Sequence, residues 1–156
     1  MHTSEQLESA IKQHGDKLFR MALAIVGNKS DAEDAVQDTF IKLLEKNTAF
    51  DSPEHEKAWL VRVTVNLCKS RLRSNWLRKT EPLLESYPAQ NPEQESLVEQ
   101  IMALPPKYRT VIHLFYYEGY STQEIADMTA QKESAVRQQL TRARRLLKQE
   151  LEGEWP

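Results

Sequence analysis

The sequence predicts an all-α fold of two small helical domains, an N-terminal helical bundle and a C-terminal helix-turn-helix domain, joined by a flexible acidic linker. Three observations carry this expectation. Apolar residues recur at helical spacing along most of the 156 residues. No stretch alternates apolar and polar residues as a half-buried strand does, and glycine is scarce. Pro82, Pro88 and Pro92 lie close together amid acidic and polar residues, which excludes a continuous helix there. The domains are therefore placed at residues 1–80 and 93–156, with the linker at 81–92. An apolar share of 40% is ample for a real core.

The first helix is expected over about residues 6–26, where Leu7, Ala10, Ile11, Leu18, Met21, Ala22 and Ile25 make one stripe. Gly27-Asn28 stops it. Ser30 and Glu33 read as a capping box that opens a second helix, which runs to about Lys46. Ala32, Val36, Phe40, Leu43 and Leu44 form its inner face. Ser52-Pro53 starts a third helix, because proline's missing N–H costs nothing in a first turn. That helix extends to about Lys79, with Trp59, Leu60, Val63, Leu67 and Leu72 as core candidates. Cys68 is the single cysteine, so no internal disulfide can form, and its apolar setting makes it a core residue rather than a nucleophile.

Helical pattern resumes at Glu93 and breaks at Pro105-Pro106. A helix over about 106–117 turns Val111, Ile112 and Phe115 inward, and Gly119 ends it. Ser121 and Glu124 form another capping box, opening a short helix with Ile125, Ala126 and Met128 inside. A break at Thr129-Ala130-Gln131 leads to a last helix, whose stripe is Val136, Leu140, Ala143 and Leu147.

Charge is sorted into blocks although the net charge is only −2. From Lys57 to Lys79 every charged residue is basic, and from Glu81 to Glu99 every one is acidic. From Lys132 to Lys148 only Glu133 interrupts a basic run. His2, His14, His55 and His113 are scattered, and no carboxylate pair, phosphate loop or Cys/His cluster sits at ligand spacing. No enzyme, catalytic residue, metal or cofactor is therefore expected. The N-terminus lacks a signal pattern and the apolar runs are too short to span a membrane, so a cytoplasmic location is expected.

Two short helices joined by a tight turn, the second ending in a basic run, make a helix-turn-helix pattern. The second helix must bury one stripe and offer another to a DNA groove. Its first turns offer Lys132, Glu133, Ser134, Arg137 and Gln138, which suit base edges or phosphates. Arg142, Arg144, Arg145 and Lys148 lie further along and suit phosphates.

Longer stretches resemble one family. Leu104-Pro105-Pro106-Lys107-Tyr108-Arg109-Thr110-Val111 resembles the opening of the C-terminal domain of extracytoplasmic-function sigma factors. So do Gly119-Tyr120-Ser121-Thr122-Gln123-Glu124-Ile125-Ala126 and the run Ala135 to Arg144. Asp31 to Phe40 resembles the family's polymerase-binding helix, and Ala58 to Asn66 the start of its promoter-melting helix. The resemblance covers nearly the whole chain in the right order.

The resemblance implies a factor that binds RNA polymerase core and directs initiation at promoter DNA through −10 and −35 elements. Asp31, Asp34, Gln37 and Asp38 would face the polymerase. The third helix would meet the −10 element through Arg62, Asn66, Lys69, Ser70 and Arg73. The loop before it, about Asn47 to Glu56, would take a flipped base. Lys132, Glu133, Ser134, Arg137, Gln138 and Arg142 would meet the −35 element. An anti-sigma factor, often membrane-bound in this family, is an implied partner. Trp76 has two open readings, stacking on DNA or covering the end of the bundle. The acidic linker has two as well, a segment threaded near the RNA path or a plain solvated tether. Three positions depart from the family pattern. Ser70 stands where Asp or Asn is common, Ala130 where glycine is usual, and Gln139 where many members carry arginine. The alternative function is a stand-alone helix-turn-helix regulator, although the chain lacks an evident dimerisation helix. A bundle that binds only protein would leave the two basic blocks without a purpose.

Overall fold

The computed structural model describes residues 4–46, 49–78 and 99–154. Among them only helices and their connections occur, and the all-α expectation is met. The chain divides into two compact units, Met1–Leu83 and Leu84–Pro156. The expected linker at 81–92 and the expected helix start at Glu93 lie outside the described residues.

The first unit is built from α1 (Ser4–Val26), α2 (Lys29–Glu45) and α3 (Pro53–Arg78), which pack on one another pairwise. Gly27 turns the chain at φ 83, a backbone that suits a residue without Cβ. The cap of α2 differs from the expected one. Asn28, not Ser30, accepts from the Asp31 backbone N–H at 2.9 Å, while Ser30 lies exposed within the first turn. The helix thus begins two residues earlier than a Ser30 cap allows. Ser52 does cap α3, accepting from the His55 N–H at 3.1 Å.

The core of this unit holds Leu18, Met21, Ala22 and Ile25 from α1, with Ala32, Ala35, Phe40 and Leu43 from α2. Alanine at the contact points lets the helices approach closely. Ile11 falls off the buried stripe and is 44% exposed, and Val36 and Leu44 are also not fully buried. On α3 the buried positions are Leu60, Val61, Thr64, Val65 and Cys68. Trp59, Val63, Leu67 and Leu72, expected inside, are half-buried instead. Thr64 explains the shift. It faces Thr39 of α2 at 2.9 Å in the dry interior, and each hydroxyl also reaches its own helix's carbonyl, Leu60 or Ala35, at 2.8 Å. With one proton each, the two hydroxyls make two of these three contacts as hydrogen bonds at a time, one between them and one to a carbonyl, so neither hydroxyl is orphaned. Burial pushes the Cys68 thiol up to about 12, which keeps it neutral and unreactive.

The second unit begins with a helical stretch over 99–103 and continues through α4 (Pro106–Ile112), α5 (Thr122–Thr129) and α6 (Glu133–Glu154). A π-helical turn, His113–Tyr117, extends α4. The wider turn adds a residue and rotates the following side chains. His113 and Leu114 are buried in this turn, while Phe115, expected inward, is half-buried. Val111, Ile112, Ile125, Ala126, Val136, Leu140 and Ala143 complete the core. Leu147, expected on the inner stripe of α6, is only half-buried. Arg109 is buried too, donating to the carbonyls of Met102 at 3.2 Å and Leu104 at 3.4 Å. Ser121 and Glu124 form the expected reciprocal capping box at the start of α5.

Candidate nucleic-acid interface

Because α3 buries its 60/61, 64/65 and 68 positions, its opposite face is left outward. Arg62, Asn66, Ser70 and Arg73 are exposed there, and Lys69 sits half-buried beside them. Their spacing puts them along one side of the helix over three turns. Burial, then the neighbouring Arg73, lowers the Lys69 pKa. All five residues expected at the −10 element thus share one positive and polar strip.

The connection into α3 is held by an aromatic group. The Phe50 ring packs 5.6 Å from Trp59 and edge-on to His55 at 5.2 Å, with the Lys46 ammonium 4.7 Å from its centroid. The Asp51 N–H donates to His55 Nδ1 at 3.2 Å. Trp59 is therefore a support for this loop rather than a residue of the bundle core. Asn47 and the Trp76 side chain lie outside the described residues.

The acidic residues of α2 are brought together by a residue that sequence reasoning missed. Arg71 reaches from α3 to Asp31 at 3.4 Å, Asp34 at 3.3 Å and Asp38 at 3.8 Å. Asp31 also accepts from the Asn28 amide at 3.0 Å. Gln37 lies exposed on the same helix. The acids at 31, 34 and 38 recur at helical spacing, and such a row of like charges is the signal that points to a cationic partner nearby.

In the second unit α5, the turn and α6 form the helix-turn-helix. Ala130 stands at φ 54 and ψ 46, the left-handed conformation that the turn demands. Beyond it Lys132, Ser134, Arg137, Gln138 and Arg142 are exposed, opposite the buried Val136, Leu140 and Ala143. Glu133 is half-buried and pairs with Arg137 one turn on, whose side chain stays 67% exposed. A carboxylate in the first turn also suits the helix dipole. Arg144 is already engaged. It donates to the Tyr116 hydroxyl at 2.5 Å and lies over the Phe115 and Tyr116 rings at 5.7 and 5.5 Å. Gln139 turns back toward the turn and donates to Gln131 at 2.6 Å.

Among the described residues no helix is long and apolar enough to cross a membrane. The sigma-70 region 2 family model matches residues 10–78, and the sigma-70 region 4 model matches residues 94–147. The ECF RNA polymerase sigma factor SigE of Mycolicibacterium smegmatis is 31% identical over 154 residues. That alignment takes in 90% of this chain but only 60% of the longer SigE. The RNA polymerase sigma factor SigV of Bacillus subtilis is 28% identical, over 97% of this chain and 95% of its own length. In fold the chain is similar to the sigma factor RpoE of Bartonella quintana, solved with the anti-sigma factor NepR. The TM-score is 0.78 at 22% identity, covering 93% of this chain and 96% of that one. With both units matched in order, and relatives of this kind along nearly its whole length, the chain belongs to the extracytoplasmic-function (ECF) subfamily of RNA polymerase sigma factors.

Proposed function

We propose that this chain binds RNA polymerase core and directs it to a subset of promoters, with α3 addressing the −10 element and α6 the −35 element. One observation carries the reading. Each unit holds a helix pinned by a buried stripe, with a positive and polar strip on the opposite side. In α3 the strip is Arg62, Asn66, Lys69, Ser70 and Arg73. In α6 it is Ser134, Arg137, Gln138 and Arg142, with the exposed Lys132 just before the helix and Glu133 holding Arg137 in place. Arginine and glutamine at the start of α6 can pair with base edges, while the cations further along neutralise phosphates. Strand opening needs bases removed from the stack, at a few kcal/mol each, and binding to the exposed strand supplies that energy. The chemistry is left to the polymerase, and this chain is not an enzyme in this reading.

Asp31, Asp34 and Asp38, with Gln37 beside them, form the polymerase-facing patch. Arg71 holds the carboxylates in one array while leaving Asp34 and Asp38 about half exposed, so a basic partner surface can add to the cluster. An anti-sigma factor is proposed as a further partner, supported by the likeness in fold to an RpoE bound to one. The cytoplasm is the proposed location, where polymerase and promoters are.

Run-off transcription with purified bacterial core polymerase tests this, with and without the chain, on a library of promoter fragments. Initiation at a discrete subset, lost with Asn66→Ala or Arg137→Ala, is expected. No core binding and no stimulated initiation sinks the reading. DNA binding without polymerase, with a steep salt slope, would instead point to a stand-alone regulator.

A further inference from the structure

Ala130 is the one non-glycine residue at positive φ among the described residues. A Cβ in left-handed backbone is disfavoured, so something must hold this turn in place. Three side chains lie across it in sequence. Gln139 Nε2 donates to Gln131 Oε1 at 2.6 Å, Gln131 Nε2 donates to Thr129 Oγ1 at 2.8 Å, and Thr129 Oγ1 donates to the Ile125 carbonyl at 2.6 Å. The direction is forced. The threonine hydroxyl has one proton and gives it to Ile125, so it must accept from Gln131. Gln131 then turns its oxygen to Gln139, which must present its amide N–H. The outer oxygen of Gln139 is buried without a hydrogen-bond partner among the described residues. The arrangement is thus kept at a local cost.

We propose that Thr129, Gln131 and Gln139 form a positioning relay that seats α6 against α5, and thereby sets how Ser134, Arg137 and Gln138 reach the −35 groove. The proposal rests on the sigma-factor reading of this unit. Recognition side chains must be held to within about 0.5 Å to work. The relay ties the second turn of α6 to the last turn of α5 through the residue that follows Ala130. It also accounts for an uncharged residue at 139. Gln139 spends its donor inside the turn and acts on DNA through helix placement.

The test uses the full chain with polymerase core on paired promoters, one with an intact −35 element and one with it scrambled. Gln139→Met keeps the volume and removes the donor. Its discrimination between the two promoters falls about tenfold, with affinity for polymerase core unchanged. Gln131→Met, which cuts the relay from the turn side, loses the same discrimination. Adding Ala130→Gly to Gln139→Met raises the thermal midpoint without restoring discrimination, which separates placement from plain stability. Discrimination equal to the parent chain in both single variants, or its recovery on adding Ala130→Gly, overturns the relay. A parent chain that ignores the −35 element overturns the sigma reading itself, and the relay's role with it.

Discussion

Two arginines tie helices together, one in each unit, under contrasting conditions. Arg71 is 34% exposed and sits among three carboxylates of α2. Arg109 is buried at 6% exposure and satisfies the chain carbonyls of Met102 and Leu104. Burial lowers the Arg109 pKa to about 10, still far enough above neutrality to keep the cation. The contrast teaches what each tie can do. An ion cluster near water is weakened by salt and open to exchange with a partner's charges. A buried cation on carbonyls is indifferent to salt and expensive to remove, because its acceptors are left dry and unmet. The exchangeable tie lies in the proposed polymerase-facing patch, and the fixed one lies beneath the helix-turn-helix.

The largest effect is expected for Arg109→Met, which should destabilise the second unit by about 3 kcal/mol in chemical denaturation. A loss below about 1 kcal/mol would show that the carbonyls find other donors. Arg71→Gln comes next, lowering the stability of the first unit by about 1 kcal/mol at low salt. That loss should shrink toward zero in about 1 M salt, where the Debye length is about 3 Å. If it does not shrink, the cluster is not the charge-driven tie described here. Ala130→Gly should stabilise the second unit by up to about 1 kcal/mol, measured by thermal unfolding, because glycine accepts the left-handed backbone.

The smallest effect concerns pH. Burial lowers the His14 pKa, with Lys57 and Lys17 acting the same way and Glu56 opposing. Below its ordinary value of 6.5 the unfolded chain binds a proton there that the folded chain resists. The first unit should therefore lose stability as pH falls through 6.5, and His14→Gln should flatten that slope. An unchanged slope in the variant would contradict the assignment.

Much of this was legible from residue order alone. The capping box at Ser121 and Glu124, the Ser52-Pro53 start and the stops at Gly27 and Gly119 are local devices, and local chemistry decides them. The special backbone at Ala130 was legible as a departure from a familiar pattern. The α3 core was less so, because apolar residues run almost all around that helix from Trp59 to Leu67. Period could not choose among them, and a polar residue, Thr64, marks the side that packs. The π-helical turn at His113–Tyr117 has no signal in residue spacing, and Phe115, placed inside by helical period, is half-buried there. Arg71 looked like one more member of a basic block. Its turn toward α2 follows from how the helices pair, which no single segment encodes. The Gln139 relay likewise joins residues eight positions apart across a bend.

In the proposed function two separate faces read two separate promoter elements. The most direct measurement is initiation by core polymerase on four templates, with the −10 and −35 elements each intact or scrambled. It is made with the parent chain, Asn66→Ala and Arg137→Ala. Asn66→Ala should blunt the response to the −10 element alone, and Arg137→Ala the response to the −35 element alone, by about 1–3 kcal/mol for a lost base contact. Equal loss of both responses in each variant, or a parent chain that responds to neither, would contradict it.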